Sequence, residues 1–270
     1  DTAAAVSAVG MTNQPMFLGL SLIQALNVGG TAIIARYFGA KKFNRMGNIL
    51  KHVMILAMIF CVTPTAILML LFAPEILSLL GGDATVINVG VVYFRIVTIG
   101  FIFQSLSFTV TAALRGIGET KIPMKNNIIA NSCNVVGNAI LIYGMFGLPA
   151  LGVTGAAIAT ALSNFIAMVL NVRYILSGKS VLKLDFKEKF EFSVDVMRDL
   201  VRIGIPTALE QLALRFGVIM FLKIVSGLGN NVYAAHQIAL NVLSLSYSPA
   251  QAFGITASSL MGRSLGAKDE

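Results

Sequence analysis

The chain has 270 residues, of which 56% are hydrophobic and only 12% charged, with a net charge of +8. Soluble domains carry roughly 25% charged residues, so 32 charged side chains are too few to coat a water-soluble fold of this length. The basic excess sits in short loops between apolar runs, which excludes a polyanion-binding groove and indicates membrane topology instead.

Seven apolar runs are long enough for membrane helices, about 5–35, 49–72, 86–113, 124–146, 153–177, 200–226 and 232–262. None shows the short alternation of a membrane β-strand. The loop after the first run carries Arg36, Lys41, Lys42, Arg45 and Lys51, and the next carries Glu75 and Asp83 with no base. Arg115, Lys121 and Lys125 follow the third run. The turn at Gly147-Leu148-Pro149 is uncharged. Arg173, Lys179, Lys183, Lys187, Lys189, Arg198 and Arg202 follow the fifth, Gly229-Asn230-Asn231 is neutral, and the end carries Arg263 and Lys268. Seventeen of the 20 Lys and Arg thus fall on alternate loops, leaving Arg95, Arg215 and Lys223. The positive-inside rule puts the basic loops in the cytoplasm. Cys61 and Cys133 lie in apolar runs and suggest neither a disulfide nor a metal site. No signal peptide is visible before the first run, and the N-terminus is expected to be cut.

A segment of the first run recurs in the seventh without a gap, 227 positions later. Ala8, Leu18, Ser21, Gln24 and Ala25 return as Ala235, Leu245, Ser248, Gln251 and Ala252. Arg36, Gly39, Ala40 and Lys41 return as Arg263, Gly266, Ala267 and Lys268. The copies run in the same direction six spans apart, so each half holds six helices related by an axis along the membrane normal. The expected whole has about twelve spans in roughly 450 residues, with one helix before Asp1 and four after Glu270. The fold class is therefore all-α and polytopic: seven helices of an expected twelve, in two lobes. Residues 1–178 are expected to form the N-terminal lobe, 179–199 a cytoplasmic linker, read as a solvated loop with a surface amphipathic helix as the alternative, and 200–270 the start of the C-terminal lobe. A piece of this size is expected to be inactive alone.

Four motifs carry a resemblance. They are Ala112-Ala113-Leu114-Arg115-Gly116-Ile117-Gly118-Glu119-Thr120-Lys121-Ile122-Pro123, the run 147–160, Gly204-Ile205-Pro206-Thr207-Ala208-Leu209-Glu210-Gln211, and the pair Ala234-Ala235-His236-Gln237-Ile238-Ala239 with Gly262-Arg263-Ser264-Leu265-Gly266-Ala267-Lys268. In order and spacing they resemble the multidrug and toxin extrusion family of cation-coupled exporters, as its helices two to eight. The major facilitator fold also has parallel six-helix halves. It usually carries an Asp-Arg motif after its second helix, where this chain reads Arg36-Tyr37-Phe38-Gly39-Ala40-Lys41-Lys42.

Of the 12 acids only Glu210 lies well inside a span. An intramembrane carboxylate is expensive and by default functional. Here it either couples transport by exchanging a proton or binding Na⁺, or pairs structurally with Arg215 or Lys223. Family relatives often place this acid a turn further on, at the position of Leu214, and Glu210 matches the Pro-x-x-x-Glu variant. Pro206 kinks the helix or opens its first turn. Asn131, Asn134 and Asn138 share one helix face, either as cavity lining or as interhelical hydrogen bonds. The position of Asn138 is an Asp in some relatives, and an amide cannot titrate. Gln24 and Gln251 flank the expected cleft or serve as packing contacts. Arg215, His236 and Gln237 complete the candidate cavity set, each with a structural alternative. Arg95 must pair across helices or reach water.

The resemblance implies efflux of amphipathic, often cationic small molecules by H⁺ or Na⁺ antiport, through alternating access of two lobes. The alternative is a lipid-linked oligosaccharide or polysaccharide flippase of the same superfamily; such proteins line their cavity with several bases, and here only Arg95 and Arg215 lie deep. No phosphate-binding Gly-x-x-x-x-Gly-Lys motif and no hydrolase constellation is present, so neither ATP drive nor an enzyme is expected. The expected setting is the bacterial plasma membrane, as a multi-pass protein that is monomeric when complete. Its partners are the lipid bilayer and organic cations, without nucleic acid, metal or cofactor.

Overall fold

The computed structural model describes residues 2–145, 149–184, 190–227 and 230–267; the side chains of 1–6 and 248 and some of those in 219–241 lie outside the description. Lys187, Lys189, the Gly147-Leu148 part of the second motif, Gly229 and Lys268 also fall outside it. Everything regular among the described residues is helix. In chain order the helices are α1 (Thr2–Gly39), α2 (Phe43–Leu56), α3 (Thr63–Leu71), α4 (Ala73–Leu79), α5 (Ala84–Gly116), α6 (Lys121–Tyr143), α7 (Gly152–Leu176), α8 (Val194–Gly227) and α9 (Asn230–Ala267). Each of the seven predicted spans falls on this helical framework. Four stretches are long and apolar enough to cross a bilayer by length and composition: Ser7–Gly39, Phe43–Leu71, Ala84–Gly116 and Gly152–Leu176.

The boundaries follow from local chemistry. The Asp83 carboxylate accepts the Val86 N–H at 2.8 Å and caps α5. Gly144, at φ +71°, closes α6 in the left-handed conformation. The second predicted span is one rod made of α2, a π-helical turn over Ala57–Val62, and α3. Pro64 has no N–H to give the carbonyl four residues back. The ladder widens just before it, and Thr63 N–H bonds the Met58 carbonyl instead, five residues back.

Small residues bring the helices together, as membrane packing requires. A Cβ on Gly100 would stand 2.9 Å from the Ala161 Cα, and one on Gly137 3.2 Å from the Ala159 Cβ. These contacts seat α7 against α5 and α6. Helix α1 is central, with α5, α8, α9 and α2 all packed on it. Two buried clusters fill the interior. One holds Ile23, Val62, Met69, Leu77, Phe94 and Phe101. The other, nearer the face that carries the basic loops, holds Ile34, Met46, Leu50, Leu114, Leu182 and Leu200.

That second cluster corrects the reading of 179–199 as a solvated linker. Leu182 is fully buried, and Ser180 and Leu184 nearly so. Burying a Leu is worth about 1.5–3 kcal/mol, enough to hold a short segment down. Helix α8 also starts inside the predicted linker, at Val194, where the Ser193 hydroxyl accepts the Val196 N–H. His52 on α2 fastens the segment. Its ring is fully buried, 4.6 Å from Phe190 and 5.7 Å from Phe192 between centroids. Ser193 N–H donates to Nε2 at 2.9 Å, so Nδ1 carries the proton and donates to the Asn48 carbonyl at 2.8 Å. The Asn48 amide donates in turn to the Glu191 carbonyl at 2.7 Å. His52→Phe leaves the Ser193 N–H without its acceptor, a loss of about 1–3 kcal/mol. Limited proteolysis between 179 and 193 is expected to quicken in that variant.

Candidate functional site

Two groups of predicted residues form on different parts of the bundle. The first lies between α6 and α7. The Asn134 amide donates to the hydroxyls of Thr160 and Ser163, each at 3.4 Å, and Asn138 donates to the Asn134 carbonyl oxygen at 3.0 Å. The Asn138 carbonyl oxygen is buried with no partner among the described residues. Asn131 is exposed. A second network lies on the same helix at a different depth. Asn126 donates to the Asn171 carbonyl oxygen at 2.8 Å, and the Asn171 amide donates to Ser107 at 2.9 Å and Thr111 at 3.3 Å. Asn171 is fully buried and ties α5, α6 and α7 together. Sequence reading missed it, although Asn164 lies two turns earlier on the same helix and the pair was a signal at helical spacing.

The second group is carried by α1, α8 and α9. α8 runs antiparallel to α1. Gly29 of α1 lies against Ile203 and Gly204 against Leu26, while the Arg215 guanidinium stacks 5.2 Å from the Phe17 ring. Glu210 falls between those levels, near the middle of α8 and level with residues 17–26 of the α1 span. Its side chain is exposed, and among the described residues nothing pairs with it. The Lys223 side chain lies outside the description. Pro206, one turn earlier, sits well inside α8 rather than in its first turn, and leaves the Arg202 carbonyl without its helical donor. His236 of α9 packs its ring on Phe221 of α8, 5.3 Å between centroids. The Gln237 side chain lies outside the description. Arg95 is exposed on α5.

Helices α1 and α9 carry the two repeat copies and meet at their C-terminal ends. A Cβ on Gly262 would stand 2.8 Å from that of Ala35. Further from the crossing, Gly254 has nothing within 4 Å, and Leu245 and Phe253 are among the most exposed side chains of the chain. Gln24 and Gln251, both exposed, stand about 18 Å above the crossing by helical rise. The two copies thus meet at the basic face, with Gln24 and Gln251 further along their helices and Glu210 on the neighbouring α8.

A family model described as MatE matches residues 2–140 and 206–270. The chain belongs to the MatE family. Members of this family are multi-pass membrane transporters, not enzymes. The chain is similar to the probable multidrug resistance protein YoeA of Bacillus subtilis, 29% identical over 98% of this chain and 58% of YoeA. The probable multidrug resistance protein NorM of Thermotoga maritima is 29% identical over 96% of this chain and 55% of NorM. The chain thus spans a little over half the length of these MatE relatives. Among solved structures, one titled as the outward-facing conformation of a multidrug resistance MATE family transporter superposes with a TM-score of 0.88 at 24% identity, over 98% of this chain and 58% of that one. At that identity the likeness speaks for the fold, which is the MatE fold.

Proposed function

We propose that the complete protein exports amphipathic, often cationic small molecules across the plasma membrane, driven by inward H⁺ or Na⁺. The observation that carries this reading is Glu210, the one acid well inside a predicted span, which falls near the middle of α8 and has no partner among the described residues. A carboxylate held at that depth facing lipid would cost several kcal/mol, so it faces a water-filled or substrate-filled space. There it can trade a proton or Na⁺ against a cationic substrate. The multidrug-resistance names of the relatives point to the same substrate class. Alternating access would come from two lobes rocking about a central cavity, with the basic face, which the charge pattern assigns to the cytoplasm, closed in this structure.

The test is ethidium efflux from pump-deficient bacteria expressing the complete protein, at several pH values and Na⁺ concentrations. Efflux above the empty-vector control is expected, and its dependence on pH or Na⁺ names the ion. A well-expressed protein without efflux overturns the reading and favours the lipid-linked oligosaccharide flippase.

A further inference from the structure

The two copies of the repeat touch each other reciprocally where α1 and α9 cross. A Cβ on Gly39 would overlap the Arg263 carbonyl, and a Cβ on Gly266 would overlap the Arg36 carbonyl. Gly39 and Gly266 are repeat equivalents, as are Arg36 and Arg263. The absence of both side chains lets the two backbones meet on the pseudo-twofold axis.

One Arg of the pair does more. The Arg263 guanidinium lies 4.6 Å from the Phe38 ring centroid, and its Nη2 donates to the Ile117 carbonyl at the C-terminal end of α5. The negative end of a long helix dipole is a favourable place for a cation. Gly118 is in the left-handed conformation at φ +79°, and a Cβ there would overlap the same guanidinium. Ser259, one turn earlier on α9, donates to the carbonyls of Arg115 at 3.0 Å and Gly116 at 3.1 Å. Arg36 is exposed, and the repeat equivalent of Phe38 is Leu265, which offers no π face. Two motifs of the sequence thus meet: Gly262-Arg263 of the C-terminal lobe grips Arg115-Gly116-Ile117-Gly118 of the N-terminal lobe.

We propose that Arg263 is a positioning residue: it latches the two lobes at the basic face, and the latch must release for the cavity to open on that side. This rests on the antiport reading. The chemistry suits a contact that breaks in every cycle. No carboxylate among the described residues pairs with Arg263, and its Nε is buried without a partner. Carbonyl dipoles and one ring hold the guanidinium more weakly than a buried ion pair would.

The test uses the complete protein in a cysteine-free background with a single reporter, Ser259→Cys, under the latch. Its modification by a membrane-impermeant maleimide is timed in vesicles that expose the basic face. Arg263→Ala is expected to raise the rate by about thirtyfold or more, the equivalent of losing one cation–π contact and one charge-assisted hydrogen bond. Gly118→Ala, which displaces the guanidinium from the other side, is expected to raise it similarly, and Arg263→Lys less. Size-exclusion profiles in detergent check that each variant folds, and Gly118→Ala keeps the test open if Arg263→Ala does not. Unchanged rates in folded variants overturn the latch. Faster labelling in a protein without ethidium efflux leaves the latch standing and removes the antiport reading. Efflux with unchanged labelling does the reverse.

Discussion

Glu210→Gln is expected to abolish ion-coupled efflux, by about tenfold or more, while leaving the folded protein as stable as its parent. Glutamine has nearly the same shape and keeps two hydrogen-bonding ends, but it neither releases a proton nor carries a charge for Na⁺. If Glu210 were one half of a structural ion pair, its neutralisation would leave a buried cation unpaired and destabilise the protein by several kcal/mol. The cost of a charge at that depth favours the first outcome, and the Arg215 guanidinium, one possible partner, stacks on Phe17 of α1. Two measurements separate the cases: ethidium efflux against pH and Na⁺, and thermal unfolding in detergent. Efflux unaffected by the substitution would reduce Glu210 to a bystander. Lost efflux together with lost stability would make it a structural residue.

Gly39→Leu is expected to be the most damaging single change outside the cavity. The added side chain meets the Arg263 carbonyl at its first carbon, so no rotamer avoids the clash. Rigid helices must part instead, and overpacking of this kind costs about 1–3 kcal/mol, here towards the upper end because backbone opposes it. Gly266→Leu meets the Arg36 carbonyl in the same way and is expected to behave alike. The double variant is expected to lose less than the sum of the two, because once the crossing has opened the second side chain finds room. Thermal unfolding of the complete protein in detergent reads all three. Additive losses would mean that the two glycines pack independently.

The repeat was legible before any coordinates. It fixed the common direction of α1 and α9 and the equivalence of their glycines. That the two copies touch reciprocally was not legible, because parallel halves can be related by an axis without meeting on it. The N-terminal boundary of α8 was hidden by Asp195, Arg198 and Asp199, which read as linker; in the structure they decorate a helix that extends past the apolar run from its Ser193 cap. The π-helical turn depends on Pro64 being carried inside a continuing rod, whereas a proline alone reads as readily as a helix start. His52 was invisible for another reason. Its partners Phe190, Phe192 and Ser193 lie some 140 residues away, and a lone histidine after a basic loop has no pattern to betray it. Glu210 and the Asn134–Asn138 pair stood out in the sequence because polar groups are rare in such runs. Asn171 did not, although it is the more deeply buried.

The glycine crossing has one more implication, about history. In it, a residue of one copy touches its counterpart's neighbour, and the reverse contact is made as well. That is the geometry of an isologous interface, the form taken by twofold homodimers. A single six-helix ancestor that dimerised through this surface would have needed only one small residue to make both contacts, and gene fusion would have preserved them. Phe38 of one copy corresponds to Leu265 of the other, so a seam that is symmetric in its glycines is one-sided in its cation–π contact.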